Sequence, residues 1–345
     1  MRKLLTALVL LVMAASFVTA QTPFSDYEDG IQEFADGVAS SLPLNSAIGL
    51  NWSSAHIGQF PHFGVGATLG FSTIPYGAVR PVLDALQLAD SIESGEAFEY
   101  LEQFGAPLPA YAIDARVGGF ILPFDVGVKF GTLPEEATTW LPEGLNFDYL
   151  LAGFDVRYAL IEQNLVLPAV SVGAGYNRLN ASIGIPGLTG GDIEITSFED
   201  PRDGDTYDLS FTDPEIEYFW EANVIDLHAQ VSKDILLFTP YAGIGASLGF
   251  GRAGASINSE LQSTPELSED DISEINAALE EADMDTLPEL GENGFSVSAD
   301  MTDGWAVRVY GGVSINILLL KIDLSGMYDF LGGNYGFTLG TRIQL

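Results

Sequence analysis

The chain has no cysteine in 345 residues. That excludes a disulfide framework, a thiol nucleophile and a lipid-modified cysteine behind a leader. Basic residues are scarce: 13 Lys and Arg stand against 48 Asp and Glu, a formal net charge of −35. Nucleic acid and anionic lipid surfaces are held by basic patches, so neither is expected as a partner. Histidine occurs three times, at His56, His62 and His228. No His-Glu-x-x-His spacing is present, and no metal or cofactor is expected. A hydrolase built on a barrel needs a Ser-His pair with an orienting group. His228 shares a face with Asp226 but has no recognisable serine motif beside it, so the sequence reads as that of a non-enzyme. Gly64-Val65-Gly66 and Gly243-Ile244-Gly245 fit strand glycines better than a phosphate loop. Beyond the first residues no apolar run approaches the ~20 residues of a membrane-spanning helix.

At the N-terminus, Arg2 and Lys3 precede an uncharged stretch from Leu4 to Phe17, and Val18-Thr19-Ala20 ends it with small residues. This is the pattern of a secretory signal over residues 1–20, cut before Gln21. Removing Arg2 and Lys3 leaves 11 basic residues against 48 acidic, a charge of −37. Yet only 18% of residues are charged, mean hydropathy is +0.21 and there are 38 glycines. For an apolar, exported chain without spanning helices, a closed sheet is the remaining way to satisfy backbone polar groups in lipid.

The period supports that reading. Ten segments alternate apolar with polar or small residues, as membrane strands do. They run through Phe63–Phe71, Tyr111–Val117, Phe124–Phe130, Phe154–Leu160, Val170–Tyr176, Ile225–Val231, Ile244–Phe250, Trp305–Ile317, Ile322–Phe330 and Phe337–Leu345. Lys, Arg, Asp and His fall opposite the aliphatic face. Lys or Arg facing lipid at mid-depth costs ~2–4 kcal/mol. The aliphatic side is therefore expected to touch outer-membrane lipid, while Asp114, Arg116, Asp125, Lys129, Asp155, Arg157, Arg308, Lys321, Asp323 and Arg342 line the interior. A soluble double-layer sheet also alternates but hides its apolar face. Aromatic residues near the segment ends favour the barrel.

The fold expected is all-β: a transmembrane antiparallel barrel of 10–12 strands, up to 14, with a short N-terminal helical segment. Residues 21–58 form that segment, which would serve as a plug, and 59–345 form the barrel. Short turns near 119–123, 162–165, 233–236 and 317–319 alternate with long connections at 74–109, 133–147, 186–214 and 259–303, as periplasmic turns alternate with extracellular loops. In this phase Leu345 ends in the periplasm, where barrel-assembly machinery would read the last strand. The 259–303 connection holds 14 acids and no Lys or Arg, which fits a solvated surface loop or weak cation capture. Phe24 to Leu42 reads as a helix through Phe24, Tyr27, Ile31, Phe34 and Val38, stopped by Pro43. Residues 77–90 read as a second, through Val79, Val82, Leu83, Leu86 and Leu88. Ala47 to Ser53 is either an eleventh strand or part of a plug.

Taken together, the mature chain resembles the bacterial outer-membrane β-barrels. More narrowly, Phe24 to Ser53 resembles the hatch of the long-chain fatty-acid transporter family, and residues 77–104 resemble its helical surface loop. The Asn-Pro-Ala hatch motif is absent, and no ligand-binding residue is carried over. The resemblance implies passage of small or hydrophobic solutes, either through a charged lumen or by way of an apolar pocket built from Phe24, Ile31, Phe34, Trp52 and the 79–88 helix. The alternative is a structural or surface-interaction barrel with acidic extracellular loops and no open pore.

Overall fold

The structure is a computed structural model that describes residues 24–85, 93, 98–119, 122–132, 146–186, 193–199, 206–264, 295–300 and 304–345. The expected leader and most of the acidic 259–303 connection lie outside these. In chain order the elements are α1 (Phe24–Ser46), β1 (His62–Ile74), α2 (Tyr76–Ala85), α3 (Phe98–Phe104), β2 (Ala106–Gly118), β3 (Phe124–Thr132), β4 (Asn146–Ile161), β5 (Ala169–Pro186), β6 (Ile193–Glu199), β7 (Thr206–Ser232), β8 (Phe238–Thr264), β9 (Phe295–Asp300), β10 (Trp305–Ile317), β11 (Leu320–Asp329) and β12 (Tyr335–Gln344).

Ten of these strands close on themselves. The hydrogen-bonded order is β7-β5-β4-β3-β2-β1-β12-β11-β10-β8, and β8 pairs back to β7. The last strand meets the first in register, Val65 opposite Ile343 and Leu69 opposite Leu339. Each of the ten alternating segments is one strand of this ring. β6 and β9 stand outside it, paired to the outer ends of β7 and β8. Those two strands each run 27 residues, against the 9–11 that cross a bilayer. Their outer parts reach into the 186–214 and 259–303 stretches expected to be connections, although Tyr207-Leu209-Phe211 and Ala253-Ala255-Ile257 also alternate with polar or small residues.

Burial is inverted relative to a water-soluble protein. Leu69, Ile113, Val128, Phe154, Ile244 and Leu339 are exposed on the outside, while Asp114, Arg116, Asp125, Arg157 and Arg308 are buried within. That is the pattern of a surface solvated by hydrocarbon. Toward the long-loop mouth the outer face turns polar: Tyr176 donates its hydroxyl hydrogen to Asn223 Oδ1 at 2.6 Å, and Arg252 pairs with Glu221 at 2.7 Å. Among the described residues no helix is long and apolar enough to cross a membrane.

The N-terminal segment occupies the lumen. α1 enters from the long-loop mouth, where Phe34 packs edge-on against Tyr218 with ring centroids 5.3 Å apart. Its apolar side (Ala35, Val38, Leu42) packs in one buried cluster with Val79 of α2 and Ile74 of β1. The side chains from Ser41 to Leu50 are all buried. The chain then descends, and Phe60 N–H reaches Gly119 O at the opposite mouth. The polypeptide thus passes through its own barrel before β1 begins.

One helical expectation needs correction. α1 continues through Pro43 to Ser46. The proline removes one intrahelical hydrogen bond, but the extra turn is held from outside: Asn45 donates to Ser72 Oγ and Leu108 O, and Lys129 donates to Ser46 O at its end and to Ile48 O just beyond. The second expected helix is present over Tyr76–Ala85, with Val79 buried; its remainder, with Leu86 and Leu88, lies outside the described residues. Ala47 to Ser53 is not a strand. With the ring closed by ten strands, no free edge is left for it to pair with.

Candidate functional site

Strand register explains how a narrow lumen holds so many long ionic side chains. Across β2, β3 and β4, Arg116 and Asp155 both stand opposite Gly127. The glycine leaves space for the guanidinium to cross it, and Arg116 Nη2 donates to Asp155 Oδ1 and Oδ2, each at 2.8 Å. A Cβ on Gly127 would lie 2.5 Å from Asp155 Oδ1 and 2.9 Å from Arg116 Nη2. The device recurs across β7, β8 and β10, where Gly245 separates His228 from Arg308. Arg308 lies over that glycine and donates to Asp226 Oδ1 at 2.6 Å and Oδ2 at 3.0 Å. Alternating large and absent side chains around the barrel is how the interior is filled.

Asp125 is the hub of the first network. It stands opposite Arg157, accepts from Arg157 Nη2 at 2.6 Å and from Arg116 Nη1 at 2.5 Å, and has His62 Nε2 at 3.5 Å. Asp226 is the hub of the second. Besides Arg308 it accepts from Ser247 Oγ at 2.6 Å, and His228 Nδ1 lies at 3.2 Å. A third is formed by Arg342, which pairs with Asp323 and donates to Ser53 Oγ at 2.7 Å. Charges removed from water are costly unless they are paired and hydrogen-bonded. Asp125, Asp226 and Asp323 are each paired with arginine, while Arg116 Nε, Arg308 Nε and Asp323 Oδ1 are left without a partner on groups bonded through their other atoms. Arg116, Lys129, Arg157, Arg308 and Arg342 are buried alongside Asp114, Asp125, Asp155, Asp226, Asp323 and Asp329, so the interior is close to balanced although the chain is strongly acidic.

The same cations also hold the threaded segment. Lys129 Nζ donates to Ser46 O at 2.5 Å, at the C-terminus of α1 where positive charge is favoured, and to Ile48 O just beyond it at 2.7 Å. Arg116 Nη2 reaches Leu50 O at 3.1 Å, and Arg157 Nη1 reaches Ser54 O at 2.8 Å. Gln230 Nε2 donates to Trp52 O and Ser53 O, and Ala55 N–H donates to Ser232 Oγ. Irregular backbone survives at membrane depth only where protein groups replace water in this way. Trp52 is the anchor. Its ring lies between two guanidiniums, with Arg342 Cζ 5.0 Å and Arg116 Cζ 5.4 Å from the centroid, and its indole N–H donates to Asp114 Oδ1 at 2.6 Å. A cavity of about 20 Å³ beside it is bordered by Thr68, Asp114, Asp323 and Arg342. That is room for about one water molecule, not for an organic solute.

Of the ten interior charges read from the sequence, nine are buried in the lumen; Lys321, at the short-turn mouth, is half-buried. The apolar set divides. Phe34 packs at the long-loop mouth, Trp52 lies deep among arginines, and the side chains of Phe24 and Ile31 are outside the described residues. The structure does not bring Phe34 and Trp52 into one pocket. Ser53, Ser54, Gln230, Ser247 and Tyr310 were not singled out. For the strand residues the alternation already marked the inward face; for Ser53 and Ser54 no local signal exists. Among the described residues no group of three or more His, Asp or Glu is arranged to hold a metal ion.

A closed antiparallel barrel of ten strands, apolar outside and ionic within, defines a bacterial outer-membrane β-barrel. No family model matches the chain, nor does any curated relative. In fold it is similar to the transport unit of the autotransporter AIDA-I from Escherichia coli (10% identity, covering 91% of this chain and 98% of that one, TM-score 0.32). It is also similar to the outer membrane protease OmpT from Escherichia coli (10%, 82% and 97%, 0.37) and to the translocator domain of the autotransporter NalP from Neisseria meningitidis (12%, 90% and 99%, 0.36). These comparisons do not show the narrower likeness to long-chain fatty-acid transporters. They also correct the exclusion of an enzyme: a protease is among the barrels of similar fold, so the architecture gives no ground for that exclusion.

Proposed function

We propose that this protein is an outer-membrane passage for small polar solutes that is closed at rest by its own N-terminal segment. The observation that supports it most is the occupation of the lumen by residues 41–58, whose carbonyls are bound by Lys129, Arg116, Arg157 and Gln230. A barrel that needed only to be filled could use side chains alone. Here inward glycines leave a channel that a strand-free peptide fills, held by polar contacts that a solvated lumen could exchange for water. Without the segment, the interior would present five cations and six carboxylates; that near-balance suits small polar or zwitterionic solutes and weak ion preference.

Single-channel recording in planar bilayers tests this. The full chain is expected to be silent or to open rarely. A variant lacking residues 21–58, checked for a folded barrel by heat-modifiable gel mobility, should conduct steadily. A folded, truncated barrel that passes no current removes the proposal. A second reading, a surface-interaction barrel, draws support from the long extensions of β7 and β8 with β6 and β9 attached; silence of both proteins would favour it.

A further inference from the structure

The short-turn mouth carries apolar residues where membrane barrels have no need of them. Four short connections lie at this end: 119–123, 162–168, 233–237 and 318–319. They join β2 to β3, β4 to β5, β7 to β8 and β10 to β11, and so are spaced around the whole ring. Each presents exposed aliphatic side chains: Leu122, then Leu165 and Val166, then Leu236 and Leu237, then Leu318 and Leu319. At the remaining position, where β12 ends and β1 begins, Leu345 and Phe60 are exposed too.

Two of these hairpins show that the leucines are not there for the turn. Leu236-Leu237 is a two-residue loop between the bridged Ile235 and Phe238, and Leu318-Leu319 one between the paired Ile317 and Leu320. The first residue of each is in the left-handed region, with φ of 54° at Leu236 and 56° at Leu318. Glycine, asparagine and aspartate suit that conformation, and a branched aliphatic side chain is disfavoured in it. Nothing inside the protein compensates, since Leu236 is 95% exposed and Leu318 96%. What covers these side chains lies outside the chain.

The surroundings select lipid. The tips continue the lipid-facing band without a break, through Phe238 into β8 and through Ile317 into β10. That band is already tall enough: from Phe238 to Phe250 is twelve residue steps, which at ~3.4 Å each and a tilt of ~40° rises about 30 Å, against ~25 Å for an outer-membrane barrel. The tips extend it further. A protein partner would touch one sector or cap the mouth, whereas a leaflet meets every hairpin at once. We propose that the short-turn rim is a lipid-binding surface, its leucines seated among acyl chains of the adjoining leaflet, so that this mouth opens within the membrane interface instead of standing clear of it.

The absence of native cysteine allows single-site labelling. L236C and L318C, each carrying an environment-sensitive dye, would be reconstituted in phosphatidylcholine vesicles with acyl-chain spin labels, beside L324C on the lipid-facing wall of β11. At both tips quenching by the spin-labelled lipid should reach at least half that at position 324, and aqueous iodide should quench several-fold less than it quenches free dye. Full access to iodide with no lipid quenching overturns the proposal and points to a protein cover. In the second arm, L236N/L318N should fold in detergent at least as well as the parent, because asparagine suits the turn, yet insert into vesicles several-fold more slowly. Unchanged insertion of the folded double variant also overturns it.

Discussion

Trp52 donates its indole hydrogen to Asp114 Oδ1 at 2.6 Å across 62 residues of chain. One partner belongs to the threaded segment and the other to the wall of β2, so this contact ties plug to barrel at mid-lumen. The ring is stacked between Arg116 and Arg342, and its far edge would meet a Cβ on Gly64 at 2.5 Å. The wall has been left bare where the indole lies.

Replacing Trp52 should therefore loosen the plug more than any other single change in the segment. Trp52→Ala is expected to cost about 3–5 kcal/mol of stability, as for large buried aromatics. Trp52→Phe keeps a ring between the arginines but leaves Asp114 without its donor, for about 1–3 kcal/mol. Urea unfolding in vesicles gives the order, and bilayer recordings of Trp52→Ala should show openings absent from the parent. Equal stability of all three proteins would refute the anchor role.

Gly127 is a spacer for an ion pair. Gly127→Ala places a methyl against Asp155 Oδ1 and Leu50 and should destabilise the barrel by roughly 1–3 kcal/mol through overpacking. Gly326→Ala is the control: its nearest neighbour would be Phe337 at 3.7 Å, an ordinary contact, and its effect should stay within about 0.5 kcal/mol. If the two glycines respond alike, register-based spacing is not what the lumen requires.

Asp125→Ala should be severe. It leaves Arg116 with the Asp155 carboxylate and Leu50 O, and Arg157 with Ser54 O and no carboxylate in hydrogen-bond reach, and breaking a buried pair from one side costs about 3–5 kcal/mol. The readout is the urea midpoint in detergent or vesicles. A midpoint close to the parent's would mean that water readily solvates this region and that the lumen is wetter than its geometry implies.

The direction of threading makes a claim about sidedness. Because α1 leaves by the long-loop mouth, an epitope placed just before Phe24 should be reached from the same face of the membrane as one placed in the 133–145 connection. Antibody labelling of intact and permeabilised cells checks this. Labelling of the two tags on opposite faces would reverse the path of the segment.

Much of this architecture was legible because lipid imposes a local rule. Every second side chain of a crossing strand must be apolar, so segments such as Phe63–Phe71 and Phe337–Leu345 declare themselves one at a time. The outer parts of β7 and β8 were harder to read, since Tyr207, Leu209 and Phe211 lie among Asp203, Asp205, Asp208 and Asp213 with Pro214 just beyond, a composition that also suits a solvated connection. Ala47–Ser53 has the same local signature as a short strand, and its true place was open to either reading. Pro43 looked like a stop because its cost is local, whereas the contacts that outweigh it come from residues 72, 108 and 129.

By itself the sequence determined that ten segments are apolar on one side and carry ions on the other, since that demand acts within each strand, while it left the strand count between 10 and 14. Only the tertiary structure decided what fills the interior. Which carboxylate meets which arginine, and that both clasp residues 46–54, follows from inter-strand register and from glycines set opposite long side chains, relations between positions far apart in the chain that no local pattern records.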